Sequence, residues 1–350
     1  SKAPRERHPV DVSIQAAPGN KFLFFMTFLG RVQQVRGSGK HLACRAWLLF
    51  VAFAFVPAAS ADTYRLVVEL QPGQSPARLE EVAREVFLSE VDVTPMFSDI
   101  DAADDPFGLA RLQIVTAETD VQFRSAWDVG YAIADLGEFQ HVEPDLQDVL
   151  IAPTSRGFCR EGVENDRTAN PAWPLITVNA HKAWMLEPSD NGKAMGEGVR
   201  ICHIDTGWSQ HDDLDRERLD LSSDYDLLEG DENAQDPLDY DGHLGHGTST
   251  GSVIASSGGI DESGNTLPPG KITGVAPRAT LVPIRSIKSV IRFLDSDVAR
   301  AVRRSVAAQC DVISMSLGGR AFFGLERALM DAVRNDVIPI AAAGNCVGFV

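Results

Sequence analysis

The second half of the chain alternates strand-length apolar runs with helical stretches, and this alternation constrains the fold more than any other feature. Four runs predict strands that are buried on both faces: Val199–Ile204, Thr280–Arg285, Asp311–Leu317 and Val337–Ala343. Three intervening stretches predict helices: His246–Ser256, Ser296–Gln309 and Phe322–Asn335. Buried strands that alternate with helices form a parallel sheet covered by helices on both faces. We therefore predict an α/β fold built on a doubly wound parallel sheet.

Polar residues follow these runs where the strands are predicted to end. Asp205 closes the first run and opens an Asp-Thr-Gly turn, and Asn345 follows the last run. His246 lies between Gly245 and Gly247 at the start of a predicted helix. Sites in such sheets lie beyond the carboxyl ends of the strands. We therefore expect Asp205, His246 and Asn345 to converge at one edge of the sheet.

These three residue types match what a serine peptidase needs besides its nucleophile. Such an enzyme uses a general base, a carboxylate that fixes the tautomer of the base, and hydrogen-bond donors for the oxyanion. We predict that Asp205 fixes the imidazole, that His246 is the general base and later the general acid, and that Asn345 donates to the oxyanion. Each motif alone is typical of an ordinary turn or helix cap, and their order favours catalysis.

The motifs VRICHIDTG, GHGT and IPIAAAGN, in this order, resemble those of the subtilisin-like serine proteases, or subtilases. The resemblance is strong over residues 198–345 and weaker from residue 62 onwards. It implies a serine endopeptidase that acts on polypeptide substrates and needs no cofactor for its chemistry. It also implies that Ser316, Leu317 and Gly318 contact the substrate through their main chain.

By this resemblance, the nucleophilic serine belongs to a Gly-Thr-Ser-x-Ala-x-Pro motif, which we expect beyond Val350. Gly247–Ser249 imitates the beginning of that motif, but Thr250–Ser252 departs from it. Ser249 also lies three residues from His246 on the same predicted helix, which makes in-line attack on a substrate carbonyl implausible. We therefore expect residues 1–350 to be an inactive amino-terminal part of a longer, truncated catalytic domain.

Two other functions remain open at this point. A chain that never acquires a nucleophile would be a pseudoprotease, acting as a binding or inhibitory protein. An exported binding module built on a doubly wound sheet is the third hypothesis, but it leaves Asp205, His246 and Asn345 unexplained. The coding sequence downstream of Val350 distinguishes the first hypothesis from the second.

The first part of the chain carries a pattern typical of export. Lys40, His41 and Arg45 precede the apolar run Ala46–Val56, and an Ala-Ser-Ala site ends at Ala61. This order predicts a leader over residues 1–61 with a secretory signal peptide, and hence a secreted or periplasmic protein. A membrane anchor is the alternative, but the run is shorter than the about 20 residues that a spanning helix needs.

Residues 62–153 predict a small α+β unit. Thr63–Leu70 and Leu109–Ala117 alternate like strands, a helix capped by Ser75 is predicted through Leu88, and Val121–Leu136 predicts a second helix. This order suggests a ferredoxin-like sandwich. Its place after the signal peptide resembles a subtilase propeptide, which would act as an intramolecular chaperone and inhibitor; an ordinary accessory domain is the alternative. Residues 154–197 predict a linker and lead-in, and 198–350 an incomplete catalytic domain.

Charge and cysteine content complete the sequence-based predictions. The net charge of −17 excludes a nucleic-acid-binding protein on electrostatic grounds. The acidic segment Asp212–Asp241 could bind calcium, but it lacks EF-hand spacing, so we favour a solvated acidic loop and predict no metal site. The five cysteines lack metal-binding spacing. We predict Cys202 to be a small buried hydrophobic residue and predict no disulfide.

Overall fold

A computed structural model of the protein describes residues 62–149, 173–186, 195–240, 243–258, 272–290, 292–319 and 321–343. These residues fall within one compact unit. The predicted signal peptide, residues 154–172 of the predicted linker, and Asn345 lie outside these ranges. Among the helices that the structure describes, none is long and apolar enough to cross a membrane.

The first described region is a four-stranded antiparallel sheet with two helices. Its strands lie in the order β2-β3-β1-β4. The elements are β1 (Asp62–Glu69), α1 (Pro76–Phe87), β2 (Val91–Pro95), β3 (Leu112–Thr119), α2 (Ala126–Ala134) and β4 (His141–Pro144), with short 3-10 turns at Ala102–Asp104 and Leu109–Arg111. The strand β2 was not predicted. The Ser75 cap of α1 is confirmed, since its side chain accepts the N–H of Ala77.

The second helix is shorter than predicted because its start is set by a capping box. Ser125 and Asp128 exchange side-chain to main-chain hydrogen bonds, so that α2 begins at Ala126 rather than near Val121. The apolar periodicity in the sequence begins before the first helical residue because Phe123, in the preceding loop, also packs against the hydrophobic core. Capping chemistry, not periodicity, decides where this helix begins.

The second region contains a five-stranded sheet in the order β11-β10-β6-β8-β7, with parallel pairing throughout. A short antiparallel pair, β5 with β9, lies apart from this sheet. The strands are β5 (Gln147–Val149), β6 (Arg200–Asp205), β7 (Tyr225–Asp226), β8 (Thr280–Arg285), β9 (Arg292–Leu294), β10 (Val312–Met315) and β11 (Ile338–Ala341). The helices are α3 (Trp173–Thr177), α4 (Ala180–Trp184), α5 (His246–Ala255), α6 (Asp295–Ala307) and α7 (Phe323–Arg334), with a 3-10 turn at Arg216–Arg218.

Helices cover both faces of the parallel sheet, as predicted. Ile201 of β6 and Leu281 of β8 pack with Ala255 of α5 on one face. Cys202 and Ile204 point to the opposite face and pack with residues of α6 and α7. Because alternate residues of a strand point to opposite faces, Asp205 lies on the same face as Ile201, towards α5. The doubly wound parallel sheet is therefore confirmed.

Cys202 and Cys310 form a disulfide, so the prediction that there is none was wrong. Their Cα atoms are 5.7 Å apart. The sheet order explains the pairing, because β10 lies directly beside β6 and the chain enters β10 just after Cys310. Sequence analysis could not identify β6 as the neighbour of β10, and it therefore treated Cys202 as an unpaired core residue.

The antiparallel and parallel sheets share a hydrophobic core. Leu66 and Val68 of β1 face α1 and α2. Val67 points the other way and belongs to the same buried cluster as Ile313 of β10 and Ala328 of α7. The pair of strands β5 and β9 joins the two regions again through main-chain hydrogen bonds. Residues 62–149 are therefore packed against α6 and α7.

Candidate active site

Asp205 is the last residue of β6, and its side chain is fully buried. The carboxylate accepts the N–H of Thr206 at 2.7 Å and the hydroxyl of Thr250 at 3.1 Å. Gly207 then turns the chain away with a φ of 101°, and a Cβ there would lie 2.4 Å from the carbonyl oxygen of Ala234. Only glycine fits this turn, which leaves the carboxylate pointing into the protein.

His246 is the first residue of α5, and tight glycine packing brings it to Asp205. Gly245 precedes it with a φ of 69°, and a Cβ on Gly247 would lie 2.1 Å from the carbonyl oxygen of Gly207. The start of the helix can therefore lie directly on the Asp-Thr-Gly turn. Nδ1 of His246 lies 2.8 Å from Oδ1 and 3.0 Å from Oδ2 of Asp205. The structure thus brings together two of the three residues that were expected to converge.

The electrostatics of this pair leave one imidazole nitrogen available as a base. Because a carboxylate only accepts hydrogen bonds, the shared proton belongs to Nδ1 of His246, and Nε2 keeps its lone pair. Burial alone would raise the pKa of Asp205, but the hydrogen bond from His246 and the nearby imidazoles lower it below its usual value. The hydrogen bond to Asp205 raises the pKa of His246, and burial offsets part of that rise.

A second hydrogen-bond network holds the two glycines that flank the imidazole. The hydroxyl of Thr206 donates to the buried carboxylate of Asp236 at 2.8 Å and accepts the N–H of Gly247 at 3.0 Å. The hydroxyl of Tyr240 donates to the same carboxylate at 2.7 Å and accepts the N–H of Gly245 at 3.1 Å. Sequence analysis missed Asp236 and Tyr240, because they lie in an acidic loop where no spacing distinguishes them.

The predicted substrate-binding residues follow β10 at the same edge of the sheet. Met315 pairs with Ile204 in the parallel register, so Ser316 comes level with Asp205. Leu317 is buried, while a Cβ built on Gly318 meets no atom within 4 Å. The space beside Gly318 is therefore open. Asn345 lies outside the described residues, so its position relative to the pair is not part of this geometry.

The acidic segment uses several of its carboxylates for the protein's own hydrogen bonds. Asp220 accepts from Ser222 at 2.6 Å and from Arg200 at 2.8 Å, and these bonds hold its pKa well below the usual value despite partial burial. Asp226 forms a buried ion pair with Arg285. Within the part of the chain that the structure describes, no group of three or more His, Cys, Asp or Glu side chains could hold a metal ion.

Comparison with known proteins gives a family match for one part of the chain. Residues 196–348 match the subtilase family, Peptidase S8. This part of the chain is therefore similar to the subtilases. The matched segment contains both Asp205 and His246, together with β6, β8, β10 and β11. The resemblance inferred from the three sequence motifs is therefore confirmed at the level of the family.

Curated relatives match the chain over part of its length. It is 30% identical over 153 residues to the major intracellular serine protease of Bacillus subtilis (strain 168), covering 43% of this chain and 44% of that protein. It is 28% identical over 160 residues to the intracellular serine protease of Paenibacillus polymyxa, covering 45% of each. A subtilisin-like protease 1 of Arthroderma otae is 25% identical over 226 residues, with 62% and 41% covered. The chain spans less than half the length of these relatives.

Two solved structures also match the chain. The epidermin leader peptide processing serine protease of Staphylococcus aureus gives a TM-score of 0.47 at 16% identity, covering 81% of this chain and 61% of that one. MycP1 with its N-terminal propeptide removed gives a TM-score of 0.35 at 23% identity, covering 49% of each chain.

Proposed function

We propose that this chain is the amino-terminal part of an exported, subtilisin-like serine endopeptidase precursor, in which Asp205 and His246 belong to an Asp-His-Ser triad. The observation that carries the proposal is the 2.8 Å hydrogen bond between Nδ1 of His246 and Asp205. It lies at the carboxyl edge of a parallel sheet, where sites of doubly wound folds are found. The match of residues 196–348 to the subtilase family supports a serine peptidase.

In the proposed reaction, Nε2 of His246 takes the proton of a serine hydroxyl as the serine oxygen attacks the carbonyl carbon of the scissile peptide bond. The imidazolium that forms is stabilised by Asp205, which remains ionised. His246 then gives this proton to the leaving amine, and the acyl-enzyme forms. Water, deprotonated by the same nitrogen, releases the acyl group. A pKa of His246 above that of free imidazole makes Nε2 a stronger proton acceptor.

The nucleophilic serine is proposed to lie in a segment beyond Val350. Two observations support this assignment. The chain spans less than half the length of its curated relatives. Ser249 is exposed on the first turns of α5, on the same helix as His246, and lacks the rest of the expected motif. We therefore propose that residues 1–350 by themselves do not hydrolyse peptides.

The remaining groups of the proposed site lie along the strands beside β6. Ser316, Leu317 and Gly318 are proposed to bind an extended substrate through their main chain, which the open space beside Gly318 supports. Asn345 is proposed as the oxyanion donor, since it follows β11 and β11 lies next to β10 in the sheet. Removal of such a donor typically reduces kcat by about 10²–10³-fold.

Residues 62–149 are proposed to act as a propeptide that assists folding and blocks the site. The proposal of a ferredoxin-like sandwich for this segment is supported by its βαββαβ order and by the strand arrangement β2-β3-β1-β4. Their last strand, β5, pairs antiparallel with β9, which directly precedes α6.

Three acidic side chains of the proposed propeptide contact α6 and α7. Asp145 accepts the hydroxyl of Ser296 at 2.7 Å and the guanidinium of Arg65 at 3.0 Å. Glu143 accepts the N–H of Phe323, at the start of α7, at 3.0 Å. Glu69 accepts the guanidinium of Arg327, also in α7, at 2.8 Å. Acidic groups at the first turn of a helix are favoured by its dipole, so these contacts should fix the orientation of the segment.

Asp145→Ala tests the proposed propeptide contact. It leaves Ser296 and Arg65 buried or partly buried without their acceptor, so we expect the free energy of unfolding of the chain to fall by about 2–4 kcal/mol. Urea unfolding followed by tryptophan fluorescence measures the change. Asp92→Ala, at an exposed position of β2, serves as the matched control and should change stability by less than about 0.5 kcal/mol. Equal effects of the two substitutions would argue against a specific contact.

Asp297, which lies close to Asp145, makes the stability of the folded protein dependent on pH. It is buried in the first turn of α6, and burial raises its pKa to about 6, with Arg300 lowering it and Asp145 adding to the rise. Because this pKa exceeds the ordinary value of 3.8, the folded protein binds the proton more tightly than the unfolded chain. Its contribution to stability is therefore lost as pH rises from about 4 to about 6.

Asp297→Asn should consequently stabilise the protein only where the wild-type carboxylate is charged. We expect the free energy of unfolding to increase by about 2–3 kcal/mol at pH 8 and to change little at pH 4, as measured by urea unfolding at both pH values. A gain of the same size at both pH values would show that the effect does not come from ionisation of Asp297.

Export is proposed from two features. The basic, apolar and Ala-Ser-Ala segments that end at Ala61 are typical of a cleaved signal peptide. The disulfide between Cys202 and Cys310 is typical of an oxidising compartment. Amino-terminal sequencing of the mature protein tests this proposal, and a mature protein that retains residues 1–61 would contradict it.

The proposed activity is tested by expressing the complete reading frame and assaying hydrolysis of a casein substrate and of fluorogenic peptides. We expect endopeptidase activity after the segment 62–149 has been released. A natural stop at Val350, with no hydrolysis by the purified product, would instead indicate a pseudoprotease.

A further inference from the structure

A second imidazole lies behind the Asp205–His246 pair. His203 precedes Asp205 by two residues on β6, so both side chains point to the face of the sheet that α5 covers. His203 is 3% exposed, and its Nε2 lies 3.5 Å from Oδ2 of Asp205. The proposed reaction makes no use of this residue. Its burial beside a carboxylate therefore calls for a physical explanation.

Thr250 of α5 connects the two side chains. Its hydroxyl oxygen lies 3.0 Å from Nε2 of His203 and 3.1 Å from Oδ2 of Asp205. The main-chain carbonyl of His246 is also within reach at 3.0 Å. The hydroxyl has only one proton, and an ionised carboxylate is a stronger acceptor than a carbonyl. An Nε2–H of His203 that donates to this oxygen leaves its proton directed to Asp205.

The neighbouring residue of the helix makes room for this arrangement. A Cβ on Gly251 would lie 3.1 Å from Cδ2 of Leu281 and 3.5 Å from Nδ1 of His203. The helix therefore approaches β6 closely where the imidazole lies. Burial lowers the pKa of His203, more than the charge of Asp205 raises it. The lowered pKa of His203 favours its neutral form, whereas the hydrogen bond to Asp205 raises the pKa of His246.

We propose that His203 and Thr250 are positioning residues: His203 donates through Nε2–H to the hydroxyl of Thr250, which in turn holds Oδ2 of Asp205 within hydrogen-bond distance of Nδ1 of His246. The N–H of Thr206 holds the other oxygen of the same carboxylate at 2.7 Å. Each oxygen of Asp205 therefore has a hydrogen-bond donor besides His246. This inference rests on the proposed function, because it concerns the carboxylate of the proposed triad.

Thr250→Val and Thr250→Ser form a matched pair that tests the inference. Valine keeps the shape of threonine but lacks the hydroxyl, whereas serine keeps the hydroxyl. We measure the pKa of His246 by pH titration of the ¹⁵N-labelled imidazole resonances in the 350-residue chain. Thr250→Val should lower this pKa by about 0.5 unit or more, because Asp205 becomes free to turn away. Thr250→Ser should leave it within about 0.2 unit of the wild type.

Substitutions of His203 provide an independent second measurement. His203→Gln keeps an N–H donor at the position of Nε2 and should preserve the pKa of His246, whereas His203→Phe should lower it as Thr250→Val does. Melting temperatures of all four variants separate this effect from unfolding. A pKa of His246 that is unchanged or raised in Thr250→Val would overturn the inference, because the hydroxyl would then have no positioning role.

A further measurement is the kcat and KM of the protein produced from the complete reading frame. Thr250→Val should lower kcat about tenfold at an unchanged KM, since only the alignment of the base is altered. The titration does not require turnover. If the wild-type protein hydrolyses no peptide, the proposed function fails and the titration still decides the alignment. If the wild type is active but neither kcat nor the pKa changes in Thr250→Val, only the inference fails.

Discussion

Replacing His246 by alanine is expected to reduce kcat about 10⁴–10⁶-fold in the mature enzyme that carries the nucleophile. Without the imidazole, nothing at the end of β6 can take the serine proton, and Asp205 is too deeply buried to replace it. KM should remain near the wild-type value, because the substitution does not alter the proposed substrate-binding residues Ser316, Leu317 and Gly318. Steady-state hydrolysis of a fluorogenic peptide at pH 8 measures both constants.

Two further substitutions test whether the loss of kcat is specific to the Asp205–His246 pair. Asp205→Asn should cost about 10⁴-fold in kcat, since an amide can donate to Nδ1 and so favour the wrong tautomer of His246. His211→Ala removes an exposed imidazole from the neighbouring loop and should leave kcat within about twofold of the wild type. More than a tenth of the wild-type kcat in His246→Ala would rule out its role as the general base.

Removing the Cys202–Cys310 disulfide should produce the largest loss of stability. The bond closes a loop across a sequence separation of 108 residues. For a loop of about 100 residues, chain entropy predicts about 4–5 kcal/mol of stabilisation, and native disulfides typically contribute about 2–5 kcal/mol. We expect the Cys202→Ala/Cys310→Ala variant to lose about 3–5 kcal/mol in the free energy of unfolding, measured by urea unfolding under non-reducing conditions.

The wild-type protein in a reducing buffer provides the control for this variant. Reduction breaks the same covalent link without creating the cavity that two alanines leave, so its loss should be similar or slightly smaller. Addition of reductant to the double variant should change nothing. A loss below about 1 kcal/mol in both cases would show that the link does not restrict the unfolded chain.

Sequence analysis located the parallel sheet because its strands are buried on both faces. Such strands appear as continuous apolar runs, and Thr280–Arg285 was predicted with the bounds that the structure has. Asp205 at the end of β6 and His246 at the start of α5 could also be predicted, because each lies close to glycines in the sequence. Those glycines are required, since a Cβ on Gly247 or Gly207 would lie 2.1 Å or 2.4 Å from a main-chain carbonyl oxygen.

Features that depend on which strands are neighbours could not be predicted. The disulfide requires β6 to lie beside β10, and no local pattern in the sequence specifies that order. The short strands β7 and β9, of two and three residues, carry too few positions for any periodicity to be recognised. Asp236 contributes through tertiary hydrogen bonds from Thr206 and Tyr240, which the sequence of its loop does not specify.

The side chains behind the Asp205–His246 pair could not be predicted either. His203 lies within an apolar run and Thr250 lies within a helix, so each has the pattern of an ordinary core residue. Their connection to Asp205 exists only because α5 crosses β6 at Gly251. Polar groups that share a buried face become recognisable as a network only when the helix and the strand are placed together.

The most direct test of the account is covalent labelling of the mature protein with a fluorophosphonate, followed by mass-spectrometric mapping of the modified peptide. This reagent requires a serine that is activated by a neighbouring base. We expect one labelled serine in a segment beyond Val350, and no labelling in His246→Ala. Labelling at Ser249, or labelling that persists without His246, would contradict the assignment of Asp205 and His246 as the pair that activates the nucleophile.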